Sequence, residues 1–176
     1  MTGRSYEGGA LRFGTSDPAI SAAERIAWGN GTSDAIYIAL MDSAYVQDVT
    51  SVHWSEIVAH EISGAGYTAY GNLLTTTPPY IDGPGQANNT YPQWPYSYVV
   101  YTANAAATPA YSTSWSGITF TNISGACIFK KTTTDATSPL LYFLPDLSVL
   151  TTNDDKYFIQ FGTPGTTLGI WHRQLF

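Results

Sequence analysis

Between Gly117 and Leu144 the chain carries two short runs that are apolar on both faces, and few folds can bury such a segment. Ala126-Cys127-Ile128-Phe129 is stopped by Lys130 and Lys131, and Leu140-Leu141-Tyr142-Phe143-Leu144 is stopped by Pro145. A strand apolar on both sides belongs in the middle of a sheet that is covered on both faces. Just upstream, Ile118-Thr119-Phe120-Thr121 alternates apolar with small polar residues, the period of a half-buried strand. With a polar turn over Thr132 to Pro139, the three runs predict an antiparallel meander that forms the core of the sheet.

The rest of the chain is read against that core. Met1 to Ser16 holds Gly3, Gly8, Gly9 and Gly14 without sustained periodicity. It is expected to be a flexible arm, either disordered or ordering on a neighbouring subunit. Asp17 as N-cap and Pro18 at the first helical position predict a short helix with Ile20, Ala23 and Ala27 on one face, stopped by Gly29 and Gly31. Ala35 to Met41 reads as a further central strand ending at Asp42-Ser43. Gly64 to Tyr67 predicts a tight turn entering a strand through Ala69. Thr151 to Asp155 reads as a turn before a strand over Lys156 to Phe161, with Tyr157, Ile159 and Phe161 on one side. Thr167 to Trp171 is expected to be the last strand. About seven to nine short strands after one helix predict a mainly β protein, a single antiparallel β-sandwich or barrel-like domain over residues 17–176.

Thr75 to Ser114 has a different character. Six prolines are interleaved with Tyr80, Tyr91, Trp94, Tyr96, Tyr98, Tyr101 and Tyr111, which excludes central strands over most of it. It is expected to be a long Pro/Tyr-rich loop with one short strand at Tyr98 to Thr102. Its rings either fold back as a local core or present an aromatic surface, with Tyr80, Tyr91, Trp94 and Tyr96 as the candidate contacts to a partner or glycan.

Composition narrows the function. Charged residues make up only 11% of the chain, against about 25% in ordinary soluble domains. Such surfaces suit proteins packed against other proteins, or facing carbohydrate. Seven Lys and Arg against thirteen Asp and Glu, a formal net charge of −6, argue against nucleic acid and against an anionic membrane as partners. No apolar run approaches a transmembrane span, and the start of the chain lacks the apolar stretch of a signal peptide, so synthesis in a reducing cytoplasm is expected. The single cysteine, Cys127, is expected to be a buried small hydrophobe. His53, Glu56, His60 and Glu61 form the one constellation that resembles chemistry, since helical spacing would bring three potential metal ligands towards one face. The order lacks the pattern of a zinc-protease helix, and scattered surface His and Glu is the plainer reading. No paired carboxylates stand in a recognisable catalytic setting. The expectation is therefore no enzyme, no metal and no cofactor.

Several blocks resemble a family of tailed-bacteriophage proteins. They are Asp34-Ala-Ile-Tyr-Ile-Ala-Leu-Met-Asp-Ser-Ala-Tyr45, then Glu61-Ile-Ser-Gly-Ala-Gly-Tyr-Thr-Ala69 followed by Gly71, then a tryptophan-led strand over Trp115 to Phe120. The apolar strand Ala126 to Lys131, ending in lysine, and the turn Ala136-Thr-Ser-Pro-Leu140 complete the set, in the family's order. The resemblance covers Ser33 to Gly71 and Trp115 to Phe161. It implies a virion structural protein without enzymatic activity, made in the bacterial host cytoplasm. Such proteins are head decoration or minor tail and fibre components, and their partners would be major capsid or tail proteins and further copies of themselves. Thr75 to Ser114 departs from the family pattern, in which this connection is shorter and more polar.

Overall fold

The computed structural model describes residues 4–6, 20, 21, 23–25, 34–74, 80–82, 98–100, 112–161 and 170–175. Eight strands account for most of them: β1 Arg4–Ser5, β2 Ile36–Asp42, β3 Asn72–Leu73, β4 Tyr80–Asp82, β5 Tyr98–Val100, β6 Ser112–Lys130, β7 Leu140–Phe161 and β8 Ile170–Leu175. Six of them build one antiparallel sheet in the order β1-β7-β6-β2-β3, with β8 also on β7. The remaining two, β4 and β5, pair with each other. The helical content among the described residues is three short 3-10 turns, at Trp54–Glu56, Val58–His60 and Asp135–Thr137.

The alternation of side chains sorts the core into two clusters, one on each face of the sheet. Ile36, Ile38 and Leu40 of β2 join Ala126 and Ile128 of β6 and Leu141 and Leu144 of β7 in the first cluster. Ala39 and Met41 join Cys127, Phe129, Leu140 and Phe143 in the second. Leu141 and Tyr142 lie on the same side because Ile128 pairs with Tyr142 while Phe129 pairs with Leu140, a bulge that inserts one extra residue. Each such side chain taken fully out of water contributes roughly 1.5–3 kcal/mol, so a double-faced sheet has to be covered twice. The second cluster is covered by Tyr6, Tyr45, Trp54 and Ile57. Trp54 stacks on Phe129 with ring centroids 4.1 Å apart and 8° between planes.

The first cluster is covered by the far half of the same ribbon. Asn72 pairs with Ile38, and Ile38 pairs with Ile128. Thr113 lies fifteen residues before Ile128 on β6 (128 minus 113), which is about 50 Å along a straight strand. Yet the Asn72 side-chain amide donates to Thr113 Oγ1 at 3.0 Å and to the Ser114 carbonyl at 2.9 Å. Strand β6 must therefore turn back over its own sheet, which brings Trp115, Ile118, Phe120 and Ile123 into the first cluster. The register shows where it bends. Extra residues on β6 fall between Trp115 and Ile118, between Phe120 and Ile123, and opposite the Met41–Asp42 step. Gly117 and Asn122 have φ of 65° and 70°, a backbone that Gly adopts freely and Asn tolerates better than most residues.

Several expectations are corrected. The runs at Ile118–Thr121 and Ala126–Phe129 are one strand, because bulges replace the turn expected between them. Pro145 does not end its strand. It pairs with Gly125 just where the ladder breaks, for the next pair is Ile123 with Leu150, five residues on along β7, and a proline is tolerated where no ladder hydrogen bond is required. The turn expected over Thr151–Asp155 is also strand, since Thr152 and Asp155 pair with Phe120 and Ile118; pairing outweighs the local turn composition. The aromatic segment ends earlier than expected, with Ser112–Ser114 in β6, and it contains the β4–β5 pair. The strand expected through Ala69 is a pair of turns, and the last strand runs over Ile170–Leu175. Arg4–Ser5, expected within a loose arm, pairs with Phe143 and Tyr142, and Tyr6 is 0% exposed. Of the expected helix, residues 20, 21 and 23–25 form a bend and a turn, in which Glu24 and Arg25 donate backbone N–H bonds to the Ser21 carbonyl; residues 17–19, 22 and 26–28 lie outside the described residues.

Residues 61–74 form a strap along the free edge of β2. Ile62 N–H donates to the Leu40 carbonyl at 3.1 Å and Leu74 N–H to the Ile36 carbonyl at 2.8 Å. The strap runs so close that a Cβ on Gly71, at φ 69°, would fall 2.0 Å from the Ile38 carbonyl oxygen, and one on Gly66, at φ 78°, 2.3 Å from the Gly117 oxygen. Gly71→Ala is therefore expected to lower stability by about 3 kcal/mol, read as a lower urea midpoint. Thr68→Ala, on an exposed position of the same strap, should stay within about 0.5 kcal/mol.

Candidate functional site

The polar residues of the strap and its neighbours make up the richest chemistry among the described residues. Glu61 sits where the strap first meets β2, in a bridge with Met41. Its Oε1 accepts from the Tyr67 hydroxyl at 2.9 Å and from the Tyr70 N–H. Tyr67 in turn accepts from the Leu40 N–H at 3.0 Å, and its ring meets Trp115 and Phe120. Tyr70 is held at φ 71°, a conformation that an ordinary side chain adopts only under local constraint. Lys131 Nζ lies 2.9 Å from the centroid of its ring. The Glu61 carboxyl is held above the ordinary carboxylate range, chiefly by burial and further by Asp135. The bonds from Tyr67 and Tyr70 and the Lys131 charge oppose this.

The four residues weighed as metal ligands, His53, Glu56, His60 and Glu61, each have a separate partner. Glu56 turns back to accept from the Val52 and His53 N–H groups, closing the Trp54–Glu56 turn. His53 lies 3.4 Å from a Glu24 oxygen and 3.6 Å from a Glu56 oxygen. His60 faces Asp42 at 3.3 Å, and Glu61 serves the strap. Among the described residues no three His, Cys, Asp or Glu are grouped to hold a metal ion. Nor is any helix there long and apolar enough to cross a membrane.

Beneath the sheet, the Tyr6 hydroxyl bonds the Tyr45 hydroxyl and lies 3.9 Å from Cys127 Sγ. Burial pushes the Cys127 thiol and the Tyr6 phenol up, and the Tyr45 phenol to about 12. Cys127 is buried and free, as expected. Its thiol stays protonated at neutral pH and is a poor nucleophile.

Two further linkages were not foreseen from the sequence. Lys130, only 8% exposed, places Nζ 2.8 Å from Asp34 Oδ1 and also donates to the Arg25 carbonyl. Ser138, 0% exposed, accepts from the Thr132 N–H at 3.0 Å and donates to the Thr134 carbonyl at 2.8 Å. Its own carbonyl accepts from the Trp54 N–H at 2.8 Å. No local sequence signal marks these links, for Lys130 stands beside Lys131 and Ser138 ends the polar run that begins at Thr132. Of the aromatic candidates, Tyr80 lies on β4 paired with Val100, while Tyr91, Trp94 and Tyr96 lie outside the described residues. No protein-family model, curated protein or solved structure matches the chain.

The raised Glu61 carboxyl carries a definite sign. The folded protein binds that proton more tightly than the unfolded chain does. The group's stability contribution is therefore complete below the ordinary Glu value of about 4.3 and is lost as pH rises through the folded value. Glu61→Gln keeps an acceptor for Tyr67 and Tyr70 without the charge. At pH 7 it should match or exceed the parent in stability, and the difference between the two should shrink as the pH is lowered. Glu61→Ala strands both donors and should cost about 2 kcal/mol. Urea unfolding of the three proteins at a series of pH values reads both effects.

Proposed function

We propose that this chain is a non-enzymatic structural protein of a tailed-bacteriophage virion, made in the host cytoplasm and bound in many copies as a capsid decoration or stabilising component. The observation that carries this reading is the use made of the polar residues that mark the resemblance. Asp34 opens the first block and Lys130 closes the apolar strand, and the two form one ion pair. Glu61, Tyr67 and Gly71 of the second block shape the strap over β2. Ser138 of the Ala-Thr-Ser-Pro-Leu turn stitches Thr132 to Thr134. The blocks share a frame, and their polar side chains are spent on holding it together. That suits a scaffold whose contacts vary from copy to copy of the family better than it suits a reaction centre.

In this reading the sheet closes on itself as a sandwich or barrel-like domain after a short N-terminal helix. Major capsid or tail proteins and further copies of the chain are its partners. Binding would stabilise the shell by mass action, and many symmetric sites would compensate for modest single contacts.

A second reading is favoured by one feature. Tyr80–Asp82 pairs with Tyr98–Val100, and the sequence between those two strands carries Tyr91, Trp94 and Tyr96. A connection this rich in aromatic residues suits a tail- or fibre-associated module that stacks on carbohydrate.

Antibody-gold labelling of intact particles of the encoding phage, with serum against the purified protein, separates these readings. Dense label over heads is the expected result. Label confined to the tail tip or fibres would favour the adhesion module, and a glycan panel would follow. Unlabelled particles, with the serum shown to recognise the folded protein, would overturn the virion reading.

A further inference from the structure

The N-terminal strand is held at one small place. Arg4 and Ser5 pair with Phe143 and Tyr142, and Tyr6 N–H donates to the Leu141 carbonyl at 3.2 Å. The Tyr6 ring is fully buried in the cluster of Tyr45, Cys127 and Phe143, and its hydroxyl bonds that of Tyr45. The slot therefore recognises three consecutive residues, one of them a large anchor with a polar tip. Among the described residues, the next contacts along the chain are those of Arg25, whose carbonyl accepts from Lys130, and of Glu24, which faces His53. Residues 7–19 lie between Tyr6 and Ile20, with Gly8, Gly9 and Gly14 in their sequence. Thirteen residues (7 to 19) reach at most about 45 Å, enough to span from one copy of a protein this size to an adjacent one.

We propose that Arg4–Tyr6 is an exchangeable strand, and that in the assembled protein the arm of one copy extends β7 of a second copy and seats its Tyr6 beside that copy's Tyr45 and Cys127. The contacts made in exchange are the same as those made within one chain, so their energy is unchanged and the local concentration of copies decides which form prevails. This rests on the self-association part of the reading above and supplies a physical link for it.

The register offers a direct test, because Ser5 and Tyr142 are opposed across an antiparallel pair, within reach of a disulfide. A full-length chain carrying both Ser5→Cys and Tyr142→Cys should form the bond within itself under mild oxidation. Cys127 is buried and protonated and does not compete. A chain with Ser5→Cys alone is then mixed with one carrying Tyr142→Cys alone, at high protein concentration. The expected product is a covalent heterodimer joined at those two positions by peptide mapping, at least about tenfold above the yield for Ser5→Cys mixed with the exposed Ser43→Cys. Adding Tyr6→Ala to the Ser5→Cys chain should remove that excess. A bond that forms only within one chain overturns the exchange, and so does failure of the double variant to form any bond. Either result leaves the labelling of particles unaffected; cross-linking between chains without label on particles overturns the virion reading alone.

Discussion

A strand with no polar face has to be covered twice, and everything else in this molecule follows from how the two covers are supplied. Three central strands, β2, β6 and β7, present apolar side chains to both sides. One cover comes from short local elements, the turns at Trp54–Glu56 and Val58–His60 together with Tyr6. The other comes from the β6–β7 ribbon bending over its own sheet. That second solution sets the positions of the glycines, for Gly66 must pass the Gly117 carbonyl and Gly71 must pass that of Ile38. A methyl group at either site would push the strap off the sheet it covers.

The strap itself shows how an edge can be closed without a full strand. Backbone bonds from Ile62 and Leu74, the two-residue β3 and the Tyr67 hydroxyl together serve Ile36, Ile38 and Leu40 of β2. Glu61 organises this arrangement by binding Tyr67 and Tyr70 at once. A half-buried carboxylate is costly when ionised, and the cost is accepted here because two donors would otherwise be stranded. Edges treated in this way are poor templates for unwanted pairing with other chains.

Much of this architecture was legible in the residues. The runs Ala35–Met41, Ala126–Phe129 and Leu140–Leu144 read as central strands because nothing polar interrupts them, and they are central. Continuity was not legible. Asn122, Pro145 and the Asn153-Asp154-Asp155 stretch carry turn chemistry, and only a partner strand lying opposite can hold such residues in a ladder. Lys130 looked like the solvent stop of a strand, yet it is buried against Asp34, about a hundred positions away in the chain. Glu61, read as one of four scattered ligands, takes its meaning from Tyr67, Tyr70 and Lys131. These are long-range pairings, which a periodicity in one segment cannot reveal.

The sheet order also dictates a timetable. Strand β2 has no neighbour on its inner side until Ile123 to Lys130 has been made, and Arg4 has none until Phe143. At roughly 5–20 residues per second of synthesis, those 139 intervening steps (143 minus 4) take on the order of ten seconds. Arg4 and Ser5 are thus made long before the strand that receives them. Contacts this distant in sequence also make for slow folding. Tyr6 enters a pocket that exists only once Cys127 and Phe143 have been made, so its burial marks the closing of the second cluster.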